Sequence, residues 1–345
     1  MTDDFVTTLR LQLREAAERE ARRGPLRRAL PQPRPLALAG ALAVAAVAVV
    51  IAVGALSTSS PPPATTAPHV VARLAIASQG GALSVAYGSI WTYDPSGDVL
   101  RLSPDGDIAA RIPIGREILD GAAGTGGMWA LTEERLYRID PKTNRIVARI
   151  PLPPPSRSHT TVDPYDSAVW VGNPGSAIQV DLRTNRLARR ISFERNGQDP
   201  RGFSGEPGLW YMLRRDGLLE TLDARTGRRL GLARPASEGL PVAAASGTVL
   251  LQDGAGLAAV DASTGALRWR TNLGTSRING AIAGDGALWV QGTPVSGRDQ
   301  LWKLDPRTGR LLAALALPDF GVAGMATTHA RLWIMSPSGL LTGIR

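Results

Sequence analysis

Beyond residue 69 short apolar runs alternate with polar turns, and the alternation itself recurs. Its most visible piece is a run ending in a bulky residue: GSIW, GGMW, SAVW, PGLW, GTVL, GALW and ARLW. The final positions are Trp91, Trp129, Trp170, Trp210, Leu250, Trp289 and Trp333, spaced 38, 41, 40, 40, 39 and 44 residues apart. A period of about 40 residues with strand-like alternation is the signature of a four-stranded unit repeated around a ring. After each run come an alternating strand, a tight turn and a second apolar strand, as in LWKLDPRTGRLLAALAL at 301–317. The turns read DPKTNR, DLRTNR, DARTGR, DASTG and DPRTGR. Their Asp can bond its own backbone two residues on, and their Asn or Gly accepts positive φ. With the strands lettered a to d, the bulky residue lies on b and the turn joins c to d. The pattern predicts an all-β, seven-bladed β-propeller over 69–345, in which the recurring bulky residue packs neighbouring blades together.

The two ends of this region are incomplete in complementary ways. The last unit, MATTHARLWIMSPSGLLTGIR at 325–345, supplies strands a, b and c only. The first segment, VVARLAIA at 70–77, matches the closing strand of a later unit, IVARIPLP at 146–153, and has no partner of its own before it. The N-terminal strand is therefore expected to complete the last blade, which closes the ring and removes two exposed sheet edges.

Upstream the pattern changes. LALAGALAVAAVAVVIAVGAL, residues 36–56, has no charged or strongly polar side chain. At about 1.5 Å per residue it matches a hydrocarbon core about 30 Å thick, and it is longer than the apolar region of a secretory signal. Arg22, Arg23, Arg27, Arg28 and Arg34 precede it without an intervening acid. That asymmetry predicts a single-pass plasma-membrane protein with its N-terminus cytoplasmic and the propeller extracytoplasmic. Residues 1–35 read as a cytoplasmic amphipathic helix and a basic juxtamembrane segment. In the helix Phe5, Leu9 and Leu13 share a face, and Glu15–Arg19 and Glu18–Arg22 are spaced for ion pairing. A cytoplasmic partner for residues 3–22 is one reading of that stripe. A helix that merely leads into the membrane is the other. Residues 57–68, STSSPPPATTAP, are a Pro/Ser/Thr-rich stalk.

Composition narrows the chemistry. The chain has no cysteine, which excludes disulfides, thiolate metal sites and cysteine nucleophiles. Its net charge of +9 is carried almost wholly by arginine, since Lys142 and Lys303 are the only lysines. These charges form no run beyond residue 35, so nucleic acid is not an expected partner. GAAGTGG at 121–127 leads into a Trp strand and not a helix, so it reads as an a–b turn and not a phosphate cradle. DPSGD (94–98) and SPDGD (103–107) read as turns, short of the ligand count calcium needs.

DASTGALRW, Asp261 to Trp269, resembles the A-x-D-x-x-T-G-x-x-x-W repeat of PQQ-like β-propellers. Units such as GALWV and LWKLDPRTGRLLAALALP resemble the related YVTN and lyase-type propellers of bacteria. The resemblance spans roughly 69–345 and implies the fold. It also implies two enzyme readings. A PQQ-dependent dehydrogenase is usually eight-bladed, often with a vicinal disulfide, and neither feature is written here. A lyase-type propeller places His, a carboxylate and a divalent metal at the channel. Of the three histidines, His69 leaves the stalk, while His159 and His329 fall in loop types that project from opposite faces. No cofactor and no metal are expected.

Loops remain. The d–a and b–c connections are the long, irregular ones: PPPSRSHT (153–160), FERNGQDPRGFS (193–204), LRRDG (213–217) and GTPVSGRD (292–299). Arg157, His159, Arg195, Arg201, Arg214, Arg215, Arg277 and Arg298 are assigned to that face, with Glu194, Asp199, Asp216 and Asp299 among them. Long loops on a rigid ring are where binding concentrates. The expected function is non-catalytic binding of a protein or cell-envelope partner, in a sensing or scaffolding role. An extracytoplasmic hydrolase or lyase acting at the central channel is the alternative. The opposite face, built on the c–d turns, is expected to look toward the membrane, with a net charge in those turns too small for a strong lipid tether.

Overall fold

The computed structural model describes residues 67–345, apart from 78, 154–160, 166–167, 174–175, 193–199, 207, 296, 318–320 and 329–330. The expected cytoplasmic helix, the apolar span 36–56 and the stalk up to residue 66 lie outside the described residues, as do Arg157, His159, Arg195 and His329. Among the described residues no helix is long and apolar enough to cross a membrane.

Among the described residues twenty-eight strands form seven four-stranded antiparallel sheets, blades 1 to 7, whose inner strands begin at Ser84, Asp120, Thr161, Pro200, Leu240, Thr275 and Gly324, and in six of them the strand order follows the chain. In the seventh, Val70–Ala75 pairs with Leu340–Ile344, which continues to Leu332–Met335 and Gly324–Thr327. Arg73 faces Thr342 and Leu74 faces Leu341. Reciprocal bonds between His69 and Arg345, at 3.0 and 3.2 Å, extend the joint. The N-terminal strand does close the ring.

A second feature shows that this joint is a true blade. In every sheet strand d carries one residue more than strand c at the same level: Val71, Ala109, Val147, Ala188, Leu230, Arg268 and Leu312. Such β-bulges add twist and turn the extra side chain outward. They account for the exposure of Val71, Val147, Leu230 and Leu312 on the rim. The discontinuous seventh blade has its bulge in the same place as the six continuous ones.

The core is divided among seven separate clusters, one at each blade-to-blade interface. Trp91, Trp129, Trp170, Trp289 and Trp333 are buried and each faces the following blade. Blade 4 corrects the repeat reading. There Gly205 faces Trp210 and Ser204 faces Tyr211, so Tyr211 holds the place that Trp91 holds opposite Ser84 in blade 1. Tyr211 packs toward blade 5, while Trp210 turns back toward blade 3 and meets Trp170 edge-on at 4.8 Å. An even spacing of 40 therefore hid a one-residue slip. In blade 5 Leu250 occupies the site, and Trp269 on strand d supplies the aromatic ring instead.

At several interfaces the ring itself, or a basic side chain stacked on it, hydrogen-bonds the next blade's c–d turn. Arg101 lies over Trp91, 5.2 Å from its ring centre, and donates to Pro141 O at 2.6 Å and Asn144 Oδ1 at 3.0 Å. Arg138 repeats this over Trp129, donating to Leu182 O at 3.0 Å and Asn185 Oδ1 at 2.8 Å. Asn144 and Asn185 take φ of 58° and 53°, conformations that Asn tolerates better than most residues. Trp170 donates to Ala224 O and Trp269 to Pro306 O, while Arg331 lies over Trp333 and donates to Asp105 O. The Asp–x–x–Thr turns are thus sockets, held rigid by Asp carboxylates that accept their own turn's N–H groups.

Candidate partner-binding face

Strand a lines the channel and begins at the d–a face, so that face carries the starts of seven inner strands, the d–a loops and the b–c turns. Several assigned residues sit deeper than loops. Pro200–Glu206 and Thr275–Gly284 are inner strands, which places Arg201 and Arg277 on strands at the channel mouth. Arg214 ends strand b and is committed to its own hairpin: its guanidinium lies 2.7 Å from Asp216 and 3.8 Å from Glu220, with little exposure. Arg215, Arg277 and Arg298 are exposed. Asp299 is not a surface acid. It is 2% exposed and accepts from Gln291, Thr293 and the Gly321 N–H, so it fastens the b–c loop of blade 6 to the segment that follows strand d.

A carboxyl group of a different kind stands at the channel. Asp120 begins the inner strand of blade 2, and its Oδ2 accepts the Val162 N–H of blade 3's inner strand at 2.8 Å. Tyr93 of blade 1 donates to Asp120 Oδ1 at 3.4 Å, so one side chain links three blades. Burial pushes the Asp120 carboxyl above the usual carboxylate range, with its hydrogen bonds opposing. Asp163, on blade 3's inner strand, is pushed up to about 7 by burial first and by the neighbouring Asp120 charge second. Desolvation, then Asp120, also raises the Tyr93 phenol. Burial thus disfavours the charged form of both carboxyls, and the Asp120 charge adds to the effect at Asp163. Sequence reasoning misses every residue of this group. The available signal was an Asp inside an apolar inner strand, in ILDGAAG and TVDPYD, where water would not reach it.

A cavity of about 1020 Å³ opens toward the other face, between blades 5 and 6, lined by Ala243, Ala245, Leu250, Trp269, Ala283 and Arg307 among others. It lies where Leu250 replaces the bulky ring of the other blades. Among the described residues no group of three or more His, Asp or Glu side chains is placed to hold a metal.

With the geometry in hand, similarity to known proteins is informative. Residues 215–333 match the PQQ_2 family, described as outer membrane protein assembly factor BamB. Over those residues the chain is similar to PQQ-like β-propellers. The structure of BamB from Moraxella catarrhalis superposes on this propeller with TM-score 0.53 at 15% identity, covering 77% of this chain and 84% of that one. BBS1N, solved in complex with ARL6DN, superposes with TM-score 0.62 at 13% identity over 81% and 96% of the two chains. At such identities the likeness is one of fold. No curated protein matches the chain in sequence.

Proposed function

We propose that this protein is a membrane-anchored, extracytoplasmic PQQ-like propeller that binds a protein of the cell envelope without catalysing a reaction. The observation that carries the reading is the match of 215–333 to a family described as an outer membrane protein assembly factor. It is supported by a ring whose inner strand carries an exposed Arg277 and whose b–c connection carries an exposed Arg298 on the same face. The fold neighbour BBS1N was solved in complex with ARL6DN, and that use of a similar scaffold as a docking body supports the same reading. Anchoring rests on the apolar segment 36–56 and on the arginines before it. Residues 3–22 face the cytoplasm and offer a second docking element there.

Photo-crosslinkers at Arg215, Arg277 and Arg298 of the full chain in intact cells should trap one recurring envelope protein. The same groups at Lys142 and Arg307, on the c–d face, should not. Equal labelling from both faces would refute a d–a docking surface. Protease added to spheroplasts should degrade the propeller and spare residues 1–35; the opposite pattern would place the disc in the cytosol. The competing reading, a hydrolase or lyase at the channel, is favoured by the Asp120–Asp163 pair. It requires D120N and D163N to abolish a turnover that the parent chain displays.

A further inference from the structure

The rim of the disc is formed by the seven d strands, whose outer edges carry unpaired backbone groups. These strands read VVARLA, IAARIP, RIVARIP, RLARRIS, RLGLA, LRWRTN and LLAALA, with arginine in all but the last and no acidic residue in any. Charge on an edge strand discourages pairing between molecules, and for that purpose every edge needs it equally. The distribution is unequal. Taken with their c–d turns, segments 140–152, 181–192 and 223–234 of blades 2, 3 and 4 carry +2, +3 and +3. Segments 70–75, 103–114, 261–272 and 305–316 of the other four blades carry +1, −1, +1 and +1. Three adjacent blades therefore hold a charge of eight, against +9 for the whole chain.

Pairing sharpens the contrast. Outside this sector three rim arginines are neutralised locally, Arg111 by Asp98 at 3.0 Å, Arg268 by Asp261 at 2.7 Å and Arg270 by Asp253 at 2.5 Å, while Arg307 and Arg310 of blade 6 are exposed and form no ion pair among the described residues. Inside it Arg145, Arg149, Arg186, Arg190, Arg228 and Arg229 are exposed, and among the described residues none forms an ion pair. The acids of the sector, Asp140, Asp181 and Asp223, are occupied by their own turns' N–H groups at 3.0, 2.8 and 2.6 Å.

We propose that the rim of blades 2–4 is a second binding surface, separate from the d–a face, which takes an extended acidic polypeptide segment of a partner. Curvature selects the class of ligand. Successive blades are rotated by about 50° in a seven-fold ring, so a flat bilayer meets this convex wall at one blade and not at three. A flexible chain can wrap it. Val147, Leu230 and Leu232 stand exposed between the arginines and suit apolar side chains alternating with acidic ones. The open strand edges offer a peptide backbone matching donors and acceptors. A single-stranded nucleic acid is held chiefly by stacking on exposed aromatic rings, and the blade tryptophans are buried.

The test uses the full chain in neutral detergent and a fluorescent peptide of alternating Glu and Leu, long enough to cross three blades. Binding should be saturable and should weaken steeply as salt rises from roughly 50 to 500 mM. Lys–Leu peptide should not bind. The variant R145E/R149E/R186E/R190E should lose roughly tenfold or more in affinity, while R307E/R310E on blade 6 should change little. Melting curves check that the exposed substitutions leave the ring intact, and the salt series on the parent chain needs no variant at all. The proposal is overturned if the parent chain does not bind the peptide, or if both variants lose equally. Tighter capture of oligo-dT or of phosphatidylglycerol vesicles by the same arginines would overturn it too. Loss of d–a crosslinking with rim binding preserved would separate this surface from the one proposed above.

Discussion

The interface between blades 2 and 3 and that between blades 5 and 6 are built for the same task from different parts. In the first, Trp129 on strand b fills the gap and Arg138 seals it against the turn at Leu182 and Asn185. In the second, Leu250 leaves the gap part-filled, and Trp269 reaches Pro306 from strand d without a cation above it. A ring approaching from the outer strand satisfies the same turn, but it leaves a cavity of about 1020 Å³ that opens at the c–d face. What is held constant around the ring is the socket, while the plug varies. Gly309, which takes φ of 68° and leaves no room for a Cβ beside the Trp269 ring, shows how closely the socket accepts its substitute.

The largest expected effect asks whether either interface survives without closure. Deleting Val70–Ala75 exposes Leu341 and leaves the edge of Leu340–Ile344 unpaired. Cooperative unfolding should be lost and aggregation should appear in light scattering; a deletion mutant melting like the parent would break the account of the fold. Next, Trp129→Ala should cost about 3–5 kcal/mol and Leu250→Ala about 2–3 kcal/mol by denaturant titration. Equal costs would mean that the two interfaces are not differently packed. A third prediction concerns the acid pair beside the tighter interface. Because Asp163 is raised in the folded state, folding favours its protonated form. Its contribution is therefore intact below the ordinary carboxylate range and is lost as pH rises toward about 7. Asp163→Asn should then match the parent near pH 3.5 and exceed it by at most about 4 kcal/mol at pH 8. A pH-independent difference between the melting temperatures would remove Asp163 as the titrating group. The smallest effect is the seal: Arg138→Ala should cost about 1–2 kcal/mol, while Arg268→Ala, in the lining of the cavity, should cost under about 1 kcal/mol.

Much of this is legible without coordinates. The seven-fold repeat, the four-strand unit, the c–d turn chemistry and the borrowed closing strand all follow from periodicity and turn residues, which are local properties of the chain. The occupant of the packing site does not. Trp210 and Tyr211 are adjacent and both bulky, and only the hairpin register decides which faces blade 5. An acid such as Asp299 is expected on the surface, yet three donors converging from separate segments bury it. Arg277 reads as a loop residue because the d–a connection is polar, but the strand extends through it.

The sequence by itself determined which segments are strands, how many blades there are and that the ring closes on its own beginning, because alternation and turn geometry act over a few residues. Only the tertiary structure decided which side chain plugs each interface, that Asp120 links three blades through Tyr93 and Val162, and how arginines scattered along about a hundred residues gather on three adjacent edges. Those outcomes depend on contacts between segments some forty residues apart, and no local pattern carries that information.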